Sequence, residues 1–202
     1  NPFAIQYIKN PSKKMKMDAI NRNPDVFWYF TNSSKSPESP PFDEPDEELQ
    51  LAAVTKKGTL IRHIKNPSLA VQKQAIQNNT RAIYHIKNLY DEVAIQALKT
   101  DPHLLQLIPK PNIKVLLYLV KENPDIIRYI TRPRKEIQLA AVQSKPLAII
   151  HIKKPCIDVQ KYVIRQDTNL FKSIKKPHPS VKKLVVELDP KFWTYFLKDE
   201  KE

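Results

Sequence analysis

A string of isoleucines, a Lys-Asn-Pro-Ser break and a Val-Gln run return along this chain every 22 residues, most plainly in Ile61 to Asn78, IRHIKNPSLAVQKQAIQN. A fixed period of this length constrains the fold before anything else does. Each copy is one supersecondary unit, too small to bury its apolar face alone, and it must stack on its neighbours. Written from the residue before the first proline, copies begin at Asn1, Asn23, Lys57, Asn79, Asp101, Asn123, Lys145, Asp167 and Asp189. The interval is 22 residues except after Asn23, where it is 34. The chain is therefore eight repeats and a terminal half, with a 12-residue insertion in the second repeat.

Repeat positions 4, 5 and 8 are apolar, as in Leu60, Ile61, Ile64 and in Ile126, Ile127, Ile130, and positions 15, 19 and 20 are apolar again, as in Val71, Ala75, Ile76. Both sets have helical spacing, so each repeat is expected to be two short helices and the fold all-α. Neither helix exceeds about ten residues, too short to be stable alone in water, so stability must come from packing between layers. The prolines mark helix starts: Pro2, Pro24, Pro102, Pro124, Pro146 and Pro190 for the first helix, and Pro11, Pro67, Pro111, Pro133, Pro155 and Pro177 for the second. The only glycine, Gly58, replaces proline at a helix start, so a glycine-rich phosphate loop is excluded.

Stacked layers make one extended repeat domain over 1–202, without a central core. The lone cysteine, Cys156, rules out an internal disulfide framework and fits a reducing, cytoplasmic compartment. No apolar run is long enough for a membrane span and no secretory signal is present, so no membrane association is expected. The chain starts inside a repeat and without methionine, which suggests an excised fragment with further repeats before it.

The insertion, residues 33–46, is rich in serine, proline and carboxylates. Between Ser33 and Glu48 the net charge is −5, which leaves +18 on the other 186 residues. Its plain reading is a solvated loop whose last carboxylates favour the N-terminus of the next helix. Its sharper reading is a recognition finger, with Phe42, Asp43, Glu44 and Asp46 as partner-binding residues.

Columns of the repeat carry the remaining information. Position 7 reads Tyr7, Tyr29, His63, His85, Leu107, Tyr129, His151, Ser173, Tyr195. The histidines stand singly in separate layers without a ligand-spaced partner, so half-buried rings bonded to the next layer are expected and a metal site is not. Position 16 supplies Gln50, Gln72, Gln138 and Gln160, expected to bond to an adjacent turn. Positions 9 and 10 place Lys65, Lys87, Lys110, Arg132, Lys153, Lys154, Lys175 and Lys176 at the same turn of successive layers. These cations either complement helix ends while staying hydrated or form a ridge for an acidic partner. Lysine dominates arginine and no recognition helix or stacking platform is evident, so base-specific readout is not expected. The two tryptophans differ, since Trp193 falls at the regularly buried position 5 and Trp28 at position 6, which makes Trp28 the surface aromatic. Phe192, Trp193, Tyr195 and Phe196 are expected to cap the array.

The strings IKNPS and VQ-AI or QLAAV, repeated over nearly the whole chain outside the insertion, resemble a tandem helical repeat family of unknown function found in bacteriophage, giant-virus and some bacterial proteins. The resemblance implies a right-handed, HEAT-like α-solenoid of short helical hairpins and, by association, a viral protein acting on a host component in the host cytoplasm. It brings no catalytic residues. The sequence itself offers no nucleophile-base pair, paired carboxylates or metal spacing, so no enzyme and no cofactor are expected. The reading is a non-catalytic scaffold for a macromolecular partner, in its sharper form a viral factor that engages or inhibits a host protein. The alternative is sequence-nonspecific nucleic-acid binding through the Lys/Arg ridge.

Overall fold

The structure, a computed structural model, describes residues 1–32, 45–108 and 110–194. Among these residues every regular element is a helix and there is no strand. Phe42, Asp43, Glu44, Tyr195 and Phe196 lie outside the described residues. The chain divides into two compact halves, Asn1–Pro109 and Lys110–Glu202.

In the first half the 3-10 helices Pro2–Tyr7, Pro24–Val26, Gly58–His63, Thr80–His85 and Pro102–Leu107 alternate with α1 (Lys13–Arg22), α2 (Phe27–Asn32), α3 (Glu47–Lys56), α4 (Leu69–Asn78) and α5 (Asp91–Thr100). In the second half α6 (Ile113–Glu122), α7 (Lys135–Ser144), α8 (Ile157–Gln166) and α9 (Pro179–Leu188) enclose the 3-10 helices Pro124–Tyr129, Pro146–His151 and Thr168–Ser173. Within each half, long helices pack on long helices, as α3 does on α4 and α6 on α7. Short helices likewise lie beside short ones, as Gly58–His63 does beside Thr80–His85.

The first helix of each full repeat is thus of 3-10 type, except in the second repeat, where three 3-10 residues run into α2. At three residues per turn, positions 5 and 8 eclipse, so the same apolar spacing serves a 3-10 helix as well as one turn of α-helix. The N–H of position 8 closes the short helix on the carbonyl of position 5, as in Ile64 to Ile61 (3.0 Å), and position 8 then turns extended. Position 1 does two jobs at once. Its N–H ends the preceding α-helix, Asn79 donating to Ala75 at 2.9 Å, while its side chain caps the next short helix, Asn79 Oδ1 accepting from Arg81 N at 3.0 Å. Asn23, Asp101, Asn123 and Asp167 repeat the arrangement. Where position 1 is lysine the side chain makes no cap, and its ammonium instead meets the aspartate at position 3 of the preceding repeat. Lys57 lies 2.7 Å from Asp25 and Lys145 lies 3.0 Å from Asp125.

Pro2, Pro24, Pro102, Pro124 and Pro146 open short helices as the sequence suggests. The second set of prolines does not. Pro11, Pro67, Pro111, Pro133, Pro155 and Pro177 each precede the N-cap residue, so α1, α4 and α6 to α9 begin two residues later. The proline stands outside the helix and leaves capping to position 12, as Ser12, Asp46 and Ser68 do with side-chain oxygens.

The apolar columns are the core: Val26, Phe27, Phe30, Leu60, Ile61, Val71, Ala75, Val93 and Leu98 in one half, Val115, Leu119, Ile127, Ile149, Val159 and Ile164 in the other, are all buried. Each large side chain so buried contributes about 1.5–3 kcal/mol. Trp193 departs from its column. Position 5 is buried in every other repeat, but Trp193 is 60% exposed. Phe192 takes the buried place, edge-on to Phe171 at 5.7 Å.

Candidate macromolecule-binding surfaces

Three of the turns between a short and a long helix are held by the glutamine of the repeat before. Gln72 is 1% exposed; its Nε2 donates to Pro67 O (3.2 Å) and to Asn88 O (2.9 Å), and its Oε1 accepts from Tyr90 N (3.2 Å). The same clamp joins Gln138 to Pro133 O and Cys156 N, and Gln160 to Pro155 O and His178 N. Gln50 bonds to Pro45 O at 2.7 Å. The two clamped N-caps that lack a side-chain cap, Tyr90 and Cys156, have their N–H taken by the clamp. Among the described residues, the left-handed non-glycine positions are Asn10 (φ 55°) and Arg132 (φ 52°), both at position 10 of turns without a preceding glutamine, the residue before Arg132 in the glutamine column being Leu116.

The turns between short and long helices carry the eight cations named from the sequence. Lys65 and Lys87 in the first half, and Lys110, Arg132, Lys153, Lys154, Lys175 and Lys176 in the second, are all exposed. Arg132 shares the repeat position but, with φ 52°, not the backbone conformation of the other turn cations. Elsewhere lysines find carboxylates: Lys13 meets Asp46 and Glu48, Lys73 meets Glu92, and Lys135 meets Asp158. None of the eight turn cations forms an ion pair among the described residues. Residues 110–194 hold 18 lysines and arginines against seven carboxylates, a net of +11, so this half is the strongly cationic one.

Of the insertion residues singled out as a finger, only Asp46 is described. It is the N-cap of α3, accepting from Leu49 N at 3.0 Å, and its other oxygen lies 2.8 Å from Lys13. The Lys13 ammonium, then the Leu49 amide, hold its carboxyl below the usual range.

The position-7 histidines are half-buried, and two of them accept from arginines at position 6. Arg62 Nε donates to His63 Nε2 (3.0 Å), and Arg128 Nη2 reaches His151 Nε2 (2.7 Å) from the preceding repeat. Asp125 also lies 3.6 Å from that nitrogen, a distance suited to an ion pair only if the ring is protonated. An arginine donor on the same atom decides for the neutral ring. Burial first, and the neighbouring arginine next, lower the pKa of His63, His85 and His151 below 6.5. The unfolded chain therefore binds protons more readily than the folded one, and stability falls as pH drops below about 6.5. The carboxylates with lowered values, Asp46, Asp125 and Asp158, act only below about 3.8 and leave that window to the rings. The expected result is a thermal midpoint lower at pH 5.5 than at 7.5, with the difference reduced in the H63Q/H85Q/H151Q variant; an unchanged difference would assign it to other groups.

A second surface, of which the sequence reading named only Trp28, lies on the first helices of three repeats in the first half. Position 6 of three consecutive repeats is Trp28, Arg62 and Tyr84, all exposed, Trp28 by 44% and Tyr84 by 68%. Each is braced by the residue after it. Trp28 stands edge-on to Tyr29 (5.1 Å, 81°), which is itself edge-on to Phe3; Tyr84 stands edge-on to His85 (5.4 Å, 79°); Arg62 is held by His63. Reading the column below position 7, instead of position 7 alone, would have shown the aromatic–cation–aromatic order. No group of three or more metal-ligating side chains occurs among the described residues, and no described helix is long and apolar enough to cross a membrane. No protein-family model, curated protein or solved structure matches this chain.

Proposed function

We propose that this chain is a non-catalytic helical-repeat scaffold, its layers stacked in the HEAT-like manner, that binds an acidic macromolecule along its inter-helix turns. The observation that carries the reading is the contrast among cations. Lysines at repeat positions 1, 13 and 17 are matched with carboxylates of neighbouring repeats, whereas the eight turn cations are exposed without an ion pair among the described residues. A scaffold needs turns held at a fixed register, and the glutamine clamp holds those of Lys87, Lys154 and Lys176. Single exposed charges contribute little, but a file of them meeting a polyanion gains by releasing its counterions.

An acidic protein face, such as a host protein engaged by a viral factor, is the first class of partner. The second is nucleic-acid backbone, favoured by the +11 concentrated in residues 110–194. Both are tested by titrating the full chain with polyglutamate and with labelled duplex DNA across a salt series. Steeply salt-dependent binding to either, lost in the K153E/K154E/K175E/K176E variant, is the expected result. For DNA the log–log salt slope should shrink by about 3 to 4 on reversal of the four charges. Binding that ignores the reversal, or no binding to either polymer, would sink the reading.

A further inference from the structure

We infer that the short-helix face of the first half binds single-stranded nucleic acid, with unpaired bases stacking on Trp28 and Tyr84 and the Arg62 guanidinium lying between them. The inference deepens the polyanion reading above and rests on it. Its basis is geometric. The helix of Trp28 packs on Gly58–His63, which packs on Thr80–His85, so the three position-6 groups stand on consecutive rungs. The Arg62 charge is felt at both His63 and His85, the latter being the ring against which Tyr84 is set. Both stacking groups are exposed, Trp28 by 44% and Tyr84 by 68%, and each meets a neighbouring ring nearly at right angles, which restricts its orientation and leaves less side-chain entropy to lose on binding. Apolar packing with a protein partner would not need a cation between the rings.

The charges complete the fit. Lys65 and Lys87 follow Arg62 and Tyr84 by three residues, in the adjoining turns, and both are exposed. A strand whose bases lie on the position-6 groups has cations within one turn for its phosphates. Duplex DNA cannot use the rings, because its bases are already stacked, whereas any unpaired base offers a π-face, so stacking tolerates any sequence. The absence of base-edge donors in a groove-reading helix is therefore no obstacle.

The test compares a labelled oligothymidine with an abasic strand of equal length and charge, bound to the full chain near physiological salt. The base-bearing strand is expected to bind at least about tenfold more tightly, and W28A and Y84A each to weaken it about 5- to 100-fold. Neither substitution should alter the abasic strand, and both sites are exposed enough for the fold to survive, which circular dichroism checks. W28F should retain most of the affinity, and in a W193F background the remaining Trp28 emission should be quenched by the strand. Equal affinity for the two strands, or indifference to W28A and Y84A, would overturn the inference. Binding of polyglutamate without any nucleic acid would overturn it while leaving the scaffold standing; failure of every polyanion would remove both.

Discussion

Replacing Gly58 by proline, the residue that opens the short helix in five other repeats, is expected to destabilise the protein by about 2–4 kcal/mol. Consensus reasoning anticipates the opposite, since proline at a compatible site narrows the unfolded ensemble and adds about 0.4–1 kcal/mol of stability. The difference lies in what surrounds this one glycine. A Cβ there would come 2.4 Å from the carbonyl oxygen of Ala75, a backbone atom at the end of α4 that cannot swing aside as a flexible side chain would. The Gly58 N–H also donates to Asn78 Oδ1 at 2.7 Å, and Asn78 Nδ2 donates in turn to Thr55 O at 2.9 Å. Proline removes the donor and adds the clash. Gly58→Ala keeps the donor, so it should cost about 1–3 kcal/mol and fall between wild type and G58P. Urea denaturation with an unchanged m-value measures the ranking; a G58P midpoint at or above wild type would show that α4 yields to the ring.

Gln72→Leu is expected to cost about 2–4 kcal/mol although leucine nearly preserves side-chain volume, which separates polar from packing effects. Three hydrogen bonds are lost, and the carbonyl of Asn88 and the amide of Tyr90 lose their side-chain partner. Tyr90 has no side-chain cap of its own, so the start of α5 loses order as well. The effect should therefore be local, with amide exchange accelerating at the N-terminus of α5 before the rest of the half. A midpoint within about 0.5 kcal/mol of wild type would mean that water replaces the amide freely at this site.

Much of this was legible in the residues. The 22-residue period fixed the number and order of helices, and the apolar columns named the core, because burial in a stack depends on periodicity that every repeat restates. The glutamine column could be recognised as structural but not traced, since its partners lie 16 and 18 residues away in the next repeat and are joined only by stacking. The turn cations could be assigned to a common repeat position, yet nothing local said which lysines would be paired: Lys57 and Lys145 meet Asp25 and Asp125, which stand 32 and 20 residues earlier in the chain. Trp28 was placed at the surface from its position 6, but Arg62 and Tyr84 were not joined to it, because the three share no residue type and their kinship is exposure on neighbouring rungs.

The type of the first helix was beyond the pattern, for six residues with apolar groups three apart satisfy a 3-10 helix and an α-helix equally. The choice came from the ends. A residue that must close one helix and cap the next, and a position 8 that must turn extended to feed the following turn, leave room only for the tighter winding. Local periodicity thus determined that the chain is an all-helical array and which side chains lie inside. Tertiary structure decided how each helix winds, which charges are neutralised and which rings stand outward, because those depend on atoms a full repeat away that only stacking brings together.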